Sequence, residues 1–454
     1  MQIDILNGDC LDMMATLPDE SVDMCVTSPP YWGLRDYGGN GRVWGAPECV
    51  ERGEGDTSHE WEGYTRPSEN TRKNDNSLQL KSAYWEPQEQ AFCKHCDAWF
   101  GQLGLEPTYE QYVKNMVEIF REVRRILKPK GTLWLNLGDS YCAGSRKDSR
   151  PQTMNGDDPK DLPLNRRNQA SGVLKNKDLV GIPWRVAFAL QADGWWLRQD
   201  IIWAKPNCMP EAVKDRCTKN HEYIFLLTKE AHYFYDNEAI KEPTVTKADK
   251  RQSAFAYADN EEWAAGDPNR TSKAKGIAEA RTKDYAKRNK RSVWWVGPKP
   301  FPEAHFAVFP IELIEPCILA GTSAHGCCSE CGAPWERVVE RTRIDRTKFP
   351  KNDERYRPNR YNGAYENING KGDAGYTHTE TMGWEATCDC DADVVPATVF
   401  DPFGGSGTTG ITAIKHGRNA ILTELSKDYV EIARKRIASF RAETGLDKSE
   451  VSWL

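Results

Sequence analysis

The chain has 454 residues, enough to bury a large core and to carry one catalytic domain with inserted modules. Its residues are 39% hydrophobic and 28% charged, and no run of roughly 18 apolar residues occurs, so a globular protein without a membrane span is expected. The net charge of −6 excludes a uniformly basic surface, although residues 241–300 hold 14 Lys/Arg against 8 Asp/Glu.

The opening, Met1-Gln2-Ile3-Asp4, lacks the basic and apolar regions of a signal peptide, so none is expected. Ile3–Leu6 is short and apolar and is followed by a turn at Asn7-Gly8-Asp9. Cys10–Leu17 reads as a helix with Asp9 as its N-cap. Ser21–Val26 reads as a buried strand that delivers Ser28–Trp32 into a loop at its C-terminal end, where open α/β sheets bind ligands. Residues 33–104 break the pattern and read as an insertion rich in Gly, Asn, Glu and Trp.

Thr108–Leu127 predicts an amphipathic helix, with Tyr112, Met116, Ile119, Phe120, Val123 and Leu127 on one face, stopped by Lys128-Pro129-Lys130-Gly131. Thr132–Leu137 predicts a strand ending at Gly138-Asp139-Ser140, and 143–178 is polar. Leu179–Ala192 predicts a helix and Trp195–Trp203 a strand, with His221–Thr228 and His232–Tyr235 as a further strand pair. Phe309–Leu319 predicts a helix. Residues 321–390 predict a Cys-bearing insertion with a loop at 351–383. Strand Thr398–Phe400, helix Gly407–Lys415, strand Asn419–Thr423 and helix Lys427–Phe440 close the series. This alternation predicts an α/β fold, a mostly parallel sheet with helices on both faces.

Asp401-Pro402-Phe403-Gly404-Gly405-Ser406-Gly407-Thr408-Thr409 sits at a strand-to-helix turn. Glycines there allow close approach of backbone to ligand, and the helix N-terminus offers free N–H groups to a carboxylate. The following strand ends at Glu424, 19 residues after Gly405, where an acid can accept from ribose hydroxyls. No lysine follows the glycines as a nucleoside triphosphate loop requires.

Near the other end, Ser28-Pro29-Pro30-Tyr31 has two prolines that stiffen the backbone. The Ser28 hydroxyl and the Pro29 carbonyl can accept both hydrogens of an exocyclic amine, while Tyr31 can stack on a ring. Taken alone the tetrapeptide is an ordinary proline turn. Together the two motifs read as a methyl donor brought to a nucleobase.

On these residues the chain resembles DNA amino-methyltransferases that use S-adenosylmethionine. The family's FxGxG motif matches Phe403–Gly407, and its (D/N/S)PP(Y/F) motif matches Ser28–Tyr31. The order, catalytic motif first and cofactor motif last, resembles the beta group, in which the Rossmann-like sheet is circularly permuted. Asn7-Gly8-Asp9, Trp203-Ala204-Lys205-Pro206-Asn207 and His221-Glu222 are similar to the family too. The resemblance covers about two-thirds of the chain.

The resemblance implies that Asp9 lies near the adenosyl group and that the target base is flipped out of the duplex. It implies that Ser28 and Pro29 orient the amine beside Pro30 while Tyr31 stacks the base. The methyl group then passes in line without a covalent enzyme intermediate. Ser at the first motif position accompanies N4-cytosine methylation more than N6-adenine methylation. An N6-adenine enzyme stays open, as does a non-enzymatic zinc-bearing DNA-binding module, which would leave the glycine turn and Glu424 without a purpose.

The chain has 14 cysteines. Cys93-Lys94-His95-Cys96 and Cys328-Ser329-Glu330-Cys331 are C-x-x-C knuckles, each followed by an Ala and a Trp. Such spacing points to structural zinc. Cys388 and Cys390 complete the second set, with Cys327 and His325 as spare candidates, and Cys49 and His59 complete the first. Cys10, Cys25, Cys142, Cys208, Cys217 and Cys317 read as packed thiols.

The expected organisation follows. Residues 1–45 and 105–235 form the catalytic half, 46–104 a zinc-ribbon-like insertion, and 236–300 the target-recognition insert. Residues 301–326 and 391–454 form the cofactor-binding half, and 327–390 a second zinc-ribbon-like insertion. Lys283, Lys287, Arg288, Lys290 and Arg291 are expected to meet DNA phosphates, with a solvated charged helix or loop as the alternative. Trp294 and Trp295 read as core. The expected partner is double-stranded DNA, with a homodimer and a cognate restriction endonuclease also open. The expected location is the cytoplasm of a bacterial cell or a phage-infected host.

Overall fold

The computed structural model describes residues 1–33, 41–45, 59, 61–62, 91–96, 98–142, 173–208, 210–242, 288–299, 309–345 and 375–445. In chain order, β1 (Ile3–Asn7), α1 (Cys10–Ala15) and β2 (Val22–Thr27) come first. Four short strands follow: β3 (Arg42–Trp44), β4 (Trp61–Glu62), β5 (Ala91–Cys93) and β6 (Trp99–Gly101). Next are α2 (Tyr109–Ile126), β7 (Leu127–Leu137), α3 (Ile182–Ala192), β8 (Trp196–Ala204), β9 (His221–Thr228) and β10 (Val293–Trp295). Then come α4 (Ile311–Gly321), β11 (Cys327–Cys328), β12 (Glu336–Asp345), β13 (Gly375–Glu385) and β14 (Val394–Val395). The last elements are β15 (Thr398–Asp401), α5 (Thr408–Lys415), β16 (Asn419–Glu424) and α6 (Lys427–Thr444).

Eight strands form one sheet in the order β1-β16-β15-β2-β7-β9-β8-β10. From β1 to β7 every pairing is parallel, as is β10 with β8, while β9 runs antiparallel to both β7 and β8. The central strands bury side chains on both faces, as a helix-covered parallel sheet requires. Cys25, Leu133, Leu135, Phe225 and Leu227 pack with residues of α1, α2 and α3. Met24 and Trp134 point the other way, where a Cβ on Gly321 at the end of α4 would lie 3.1 Å from Trp134 Nε1 and 3.2 Å from Met24 Sδ. The fold class is therefore α/β.

Local signals explain most element boundaries. Asp9 caps α1 by accepting from Leu11 N at 3.0 Å, and Thr108 caps α2 by accepting from Gln111 N at 3.2 Å. Three expectations need correction. α2 stops at Ile126 as expected, but Lys128–Gly131 already belongs to β7, which starts at Leu127 rather than Thr132. A register shift in β2 between Val22 and Met24 accommodates it, and Lys128 Nζ pairs with Asp23 Oδ1 at 2.8 Å. His232–Tyr235 is not a strand: β7 already has β2 and β9 on its two sides, so only Phe234 N reaches its start, donating to Lys130 O at 3.0 Å. The end of the expected 351–383 loop is strand β13, held by an antiparallel ladder to β12.

The chain divides into two compact units. The first, Met1–Phe234, Ser292–Ala324 and Pro396–Leu454, holds the eight-stranded sheet and a small sheet of order β3-β6-β5-β4. The second, Tyr235–Arg291 and His325–Val395, holds the β12–β13 ribbon and the β11–β14 pair. Within it, Arg337 pairs with Asp236 at 2.7 Å and stacks over Trp384 at 4.4 Å. No helix among the described residues is long and apolar enough to cross a membrane.

Candidate active site

β2 and β15 are adjacent and parallel, with Val399 opposite Met24 and Phe400 opposite Cys25. The loops leaving their carboxyl ends are therefore neighbours. One carries Ser28–Trp32 and the other Phe403–Gly407, motifs whose first residues are 375 positions apart in the chain. Asp401 ties the two loop origins together. Its Oδ1 accepts from Thr27 Oγ1 at 2.6 Å and from Phe403 N at 3.0 Å, and its Oδ2 accepts from Thr409 Oγ1 at 2.6 Å. Asp401 and Thr409 are wholly buried. Desolvation pushes the Asp401 carboxyl up to about 6, partly offset by these donors. The predicted cofactor residue Asp401 thus faces Thr27, Thr409 and Phe403.

Around the glycine turn, Gly405 and Gly407 have φ of 50° and 80°, a region that favours glycine. A Cβ on Gly404 would stand 2.9 Å from Leu422 Cβ, so this backbone lies directly on β16. Ser406 and Thr408 are buried, and Arg436 of α6 donates to Ser406 O at 2.8 Å and to Ser406 Oγ at 2.6 Å. Glu424, at the end of β16, accepts from Gly405 N at 2.9 Å and from Ser426 N at 2.8 Å. Burial raises its carboxyl. Asp9 follows β1, whose Asn7 lies opposite Glu424, and its carboxylate pairs with Arg42. The candidate residues Asp9, Glu424 and the Phe403–Thr409 turn therefore gather at one end of β1, β16 and β15.

The proline loop is braced from below. Tyr112 Oη donates to Pro30 O at 2.9 Å, and Gly33 N donates to Gly104 O at 2.8 Å. Trp32 Nε1 donates to Glu106 O at 3.0 Å. Glu106 is completely buried and accepts from Gly104 N and from Asn115 Nδ2; desolvation pushes its carboxyl up to about 8. Ser28 Oγ donates to Tyr31 Oη at 3.2 Å. Tyr31 Oη lies 2.8 Å from Glu222 Oε2 and 3.1 Å from Asn136 Oδ1. Its ring leans on the Gly138 backbone, where a Cβ would approach it to 2.5 Å. Lys205 pairs with Glu222 Oε1 and lies 4.2 Å above the Trp203 ring.

Asn136 and Glu222 come from β7 and β9 and Lys205 from just past β8, and no motif spacing flagged their roles. The one sequence signal was the family-like pairing of Trp203–Asn207 with His221-Glu222. Asp139, just past β7, accepts from Gly181 N and Ile182 N at the start of α3, while Lys219 Nζ donates to the Asp139 carbonyl at 3.0 Å.

Two cysteine clusters form among the described residues, one in each unit. The ligand atoms of Cys328, Cys331, Cys388 and Cys390 lie within 4.8 Å of one another, as do those of His59, Cys93 and Cys96. Cys49 lies outside the described residues. Both knuckles close alike, with Cys93 N donating to Ala98 O and Cys328 N to Ala333 O, each at 2.9 Å. Backbone N–H groups of Cys331 and Glu330 lower the Cys328 thiol to about 7. Of the spare candidates, Cys327 is buried in β11, and His325 stacks on Trp384 and meets Trp335 at a tilt. Among the other cysteines, Cys10, Cys25, Cys142 and Cys317 are buried as expected, but Cys217 is exposed in an irregular stretch with no core to enter and Cys208 is half-buried.

Of the expected phosphate contacts, Lys283 and Lys287 lie outside the described residues. Arg288 and Arg291 both pair with Glu242, at 3.0 and 2.9 Å, and Lys290 lies between them in sequence. Trp294 is buried, but Trp295 is 69% exposed, because alternate residues of edge strand β10 face opposite ways.

A DNA methylase family model matches residues 22–328 and 396–435. The chain is 32% identical over 433 residues to Type II methyltransferase M.SmaI of Serratia marcescens, covering 95% of this chain and 90% of that one. It is 32% identical to M.Cfr9I of Citrobacter freundii, covering 95% and 87%, and 38% identical to M.XycI of Xanthomonas campestris pv. cyanopsidis, covering 70% and 72%. The solved PvuII DNA methyltransferase (cytosine-N4-specific) aligns with 98% of this chain and 92% of its own at 13% identity and a TM-score of 0.43, too remote to bear on function. The extent of the family match and of the first two relatives shows that the chain belongs to the N6/N4 DNA methylase family and is an S-adenosylmethionine-dependent DNA amino-methyltransferase.

Proposed function

We propose that the chain methylates the exocyclic N4 amine of a cytosine flipped out of double-stranded DNA at a specific sequence. The observation that carries the reading is the adjacency of β2 and β15, whose joined carboxyl ends carry a serine-type amine motif and a glycine turn. In this reading S-adenosylmethionine supplies an electrophilic methyl group, and the Phe403–Thr409 turn, Glu424 and Asp9 hold it. Glu424 and Asp9 would exchange their present N–H and guanidinium partners for hydroxyls of the cofactor.

The Ser28 hydroxyl and the Pro29 carbonyl accept the two amine hydrogens, which turns the nitrogen lone pair outward. Tyr112, holding Pro30 O, and the buried Glu106 keep that loop in place. Tyr31 presents a ring face while its hydroxyl is anchored. Because positioning of this kind is worth about 7–11 kcal/mol, no strong general base is needed. Ser rather than Asp or Asn before the two prolines favours cytosine.

The permuted order of a Rossmann-like sheet is part of the same reading: the amine motif leaves β2 and the glycine turn leaves β15. So are structural zinc ions in both cysteine clusters, supported by four sulfurs in one and two sulfurs and a ring nitrogen in the other. Residues 236–300 are assigned to target recognition, and the enzyme to the cytoplasm beside its DNA. A homodimer and a cognate endonuclease are the partners to seek.

The test is nucleoside mass spectrometry of unmethylated DNA of varied sequence after incubation with S-adenosylmethionine. N4-methylcytosine is expected. N6-methyladenine would overturn the choice of base but keep the site, and no methylated nucleoside would overturn the whole reading.

A further inference from the structure

Two strands and a loop converge on the Tyr31 hydroxyl, and the hydrogen-bonding capacity of its neighbours fixes which way each bond runs. Asn136 Nδ2 faces two acceptors, the Tyr223 carbonyl at 3.0 Å and Glu222 Oε2 at 3.3 Å. Its amide nitrogen is therefore committed, and Asn136 Oδ1 is the atom turned to Tyr31, at 3.1 Å. The other close neighbour of the phenol is Glu222 Oε2 at 2.8 Å. The other oxygen of this group, Glu222 Oε1, is paired with Lys205, so Oε2 is the acceptor turned to the phenol. Tyr31 thus meets two groups that only accept, so its single proton goes to one of them. Burial and the Glu222 charge hold the Tyr31 pKa well above the ordinary phenol range, which keeps that proton in place. The remaining partner, Ser28 Oγ at 3.2 Å, must then donate to Tyr31.

We propose that Glu222 is a specificity-determining positioning residue: through Tyr31 it forces the Ser28 hydroxyl to spend its hydrogen inward, leaving only lone pairs for the target base. Ser28 then accepts from an amine and rejects a carbonyl at the same position. The site is thereby tuned to amino bases against their keto counterparts, uracil for cytosine and hypoxanthine for adenine. No new bond is made or broken; the device is a directed chain of hydrogen bonds, Ser28 to Tyr31 to Glu222, in which each link polarises the next. The inference rests on Ser28 facing the amine, as proposed above.

Glu222→Gln tests it. Lys205 would hold the amide oxygen, turning the amide nitrogen, a donor, toward the phenol. The phenol would then give its proton to Asn136 Oδ1 and accept from the new amide nitrogen, which competes with Ser28 for the phenol lone pairs and lets the Ser28 hydroxyl rotate and donate outward. Once the methylated position has been mapped, two duplexes are made, one with the amino base there and one with its keto counterpart. Their Kd values are measured at one salt concentration with wild-type enzyme, Glu222→Gln and Tyr31→Phe. The different ease of flipping the two bases is common to all three proteins and cancels in the comparison of ratios.

The amino-over-keto preference should fall about tenfold or more in both variants, the loss expected when a site stops demanding a donor. A merely structural role would weaken both duplexes equally and leave the ratio unchanged. An unchanged ratio in both variants overturns the proposal. Failure of the underlying reading looks different: Ser28→Ala would then methylate at the wild-type rate.

Discussion

Asp401 is wholly buried at the junction of the two motif loops, and replacing it by Asn gives a sharp test of that junction. Its carboxyl rises from 3.8 to about 6 on folding because burial desolvates the charged form more than Thr27, Thr409 and Phe403 N compensate. A raised carboxyl binds protons in the folded state that the unfolded chain has lost. The associated stability is fully present below pH 3.8, falls as pH rises toward about 6, and is flat above it. At about 1.36 kcal/mol per pKa unit, the ionised carboxylate costs about 3 kcal/mol at pH 8 and about 1 kcal/mol at pH 4.5.

Asn has the same shape, keeps an acceptor for Thr27 and Phe403 N, and can donate to the Thr409 hydroxyl once that group turns. Urea unfolding of both proteins at several pH values removes every titration they share. The Asp401→Asn variant should gain about 2 kcal/mol on wild type between pH 4.5 and pH 8. Parallel pH profiles would refute the claim that the carboxylate is buried and ionised between the motifs.

Other substitutions probe the same frame. Gly407→Ala, at φ 80° and with its Cβ 3.0 Å from Ala433 Cβ, should lose about 1–3 kcal/mol of stability by urea unfolding. Arg436→Ala, which frees Ser406 from its clamp, should weaken S-adenosylmethionine binding in calorimetry by about tenfold, while an unchanged Kd would remove Arg436 from the account. Tyr112→Phe should lose about 1 kcal/mol and slow methylation without changing cofactor affinity, because the Pro30 carbonyl loses its donor. Chelation under denaturing conditions should release two zinc ions per chain, one from each cluster, as measured by a metallochromic dye; release of none would leave the cysteines as bare thiols.

Much of this was legible because the signals are local. The apolar stripe from Tyr112 to Val123 marks α2 to within a residue at each end, and Asp9 and Thr108 cap helices as their side chains allow. The glycine turn is readable because Gly405 and Gly407 occupy conformations that other residues avoid. The pairs of cysteines assemble as their spacing suggests, since a C-x-x-C knuckle is closed within one turn. Long-range partnerships were not legible. Nothing in sequence links Tyr31 to Asn136, 105 positions on, or to Glu222, 191 positions on; only the sheet order β2-β7-β9 brings them together. Asp401 is expected at the cofactor because it stands in the motif; its acceptors are taken by Phe403 N and Thr409 within the motif and by Thr27, which only the β2–β15 pairing supplies. His232–Tyr235 has a strand's composition, but β7, the strand it meets, already has partners on both sides.

The central claim is that Ser28–Tyr31 presents the amine while a separate turn holds the cofactor. Single-turnover methylation by Ser28→Ala, with calorimetric S-adenosylmethionine binding measured on the same preparation, tests it most directly. Cofactor Kd should stay within about twofold of wild type while the methylation rate falls about a hundredfold or more, as when one preorganised hydrogen-bonding group is removed from a reacting centre. A wild-type methylation rate with intact cofactor binding would contradict the account.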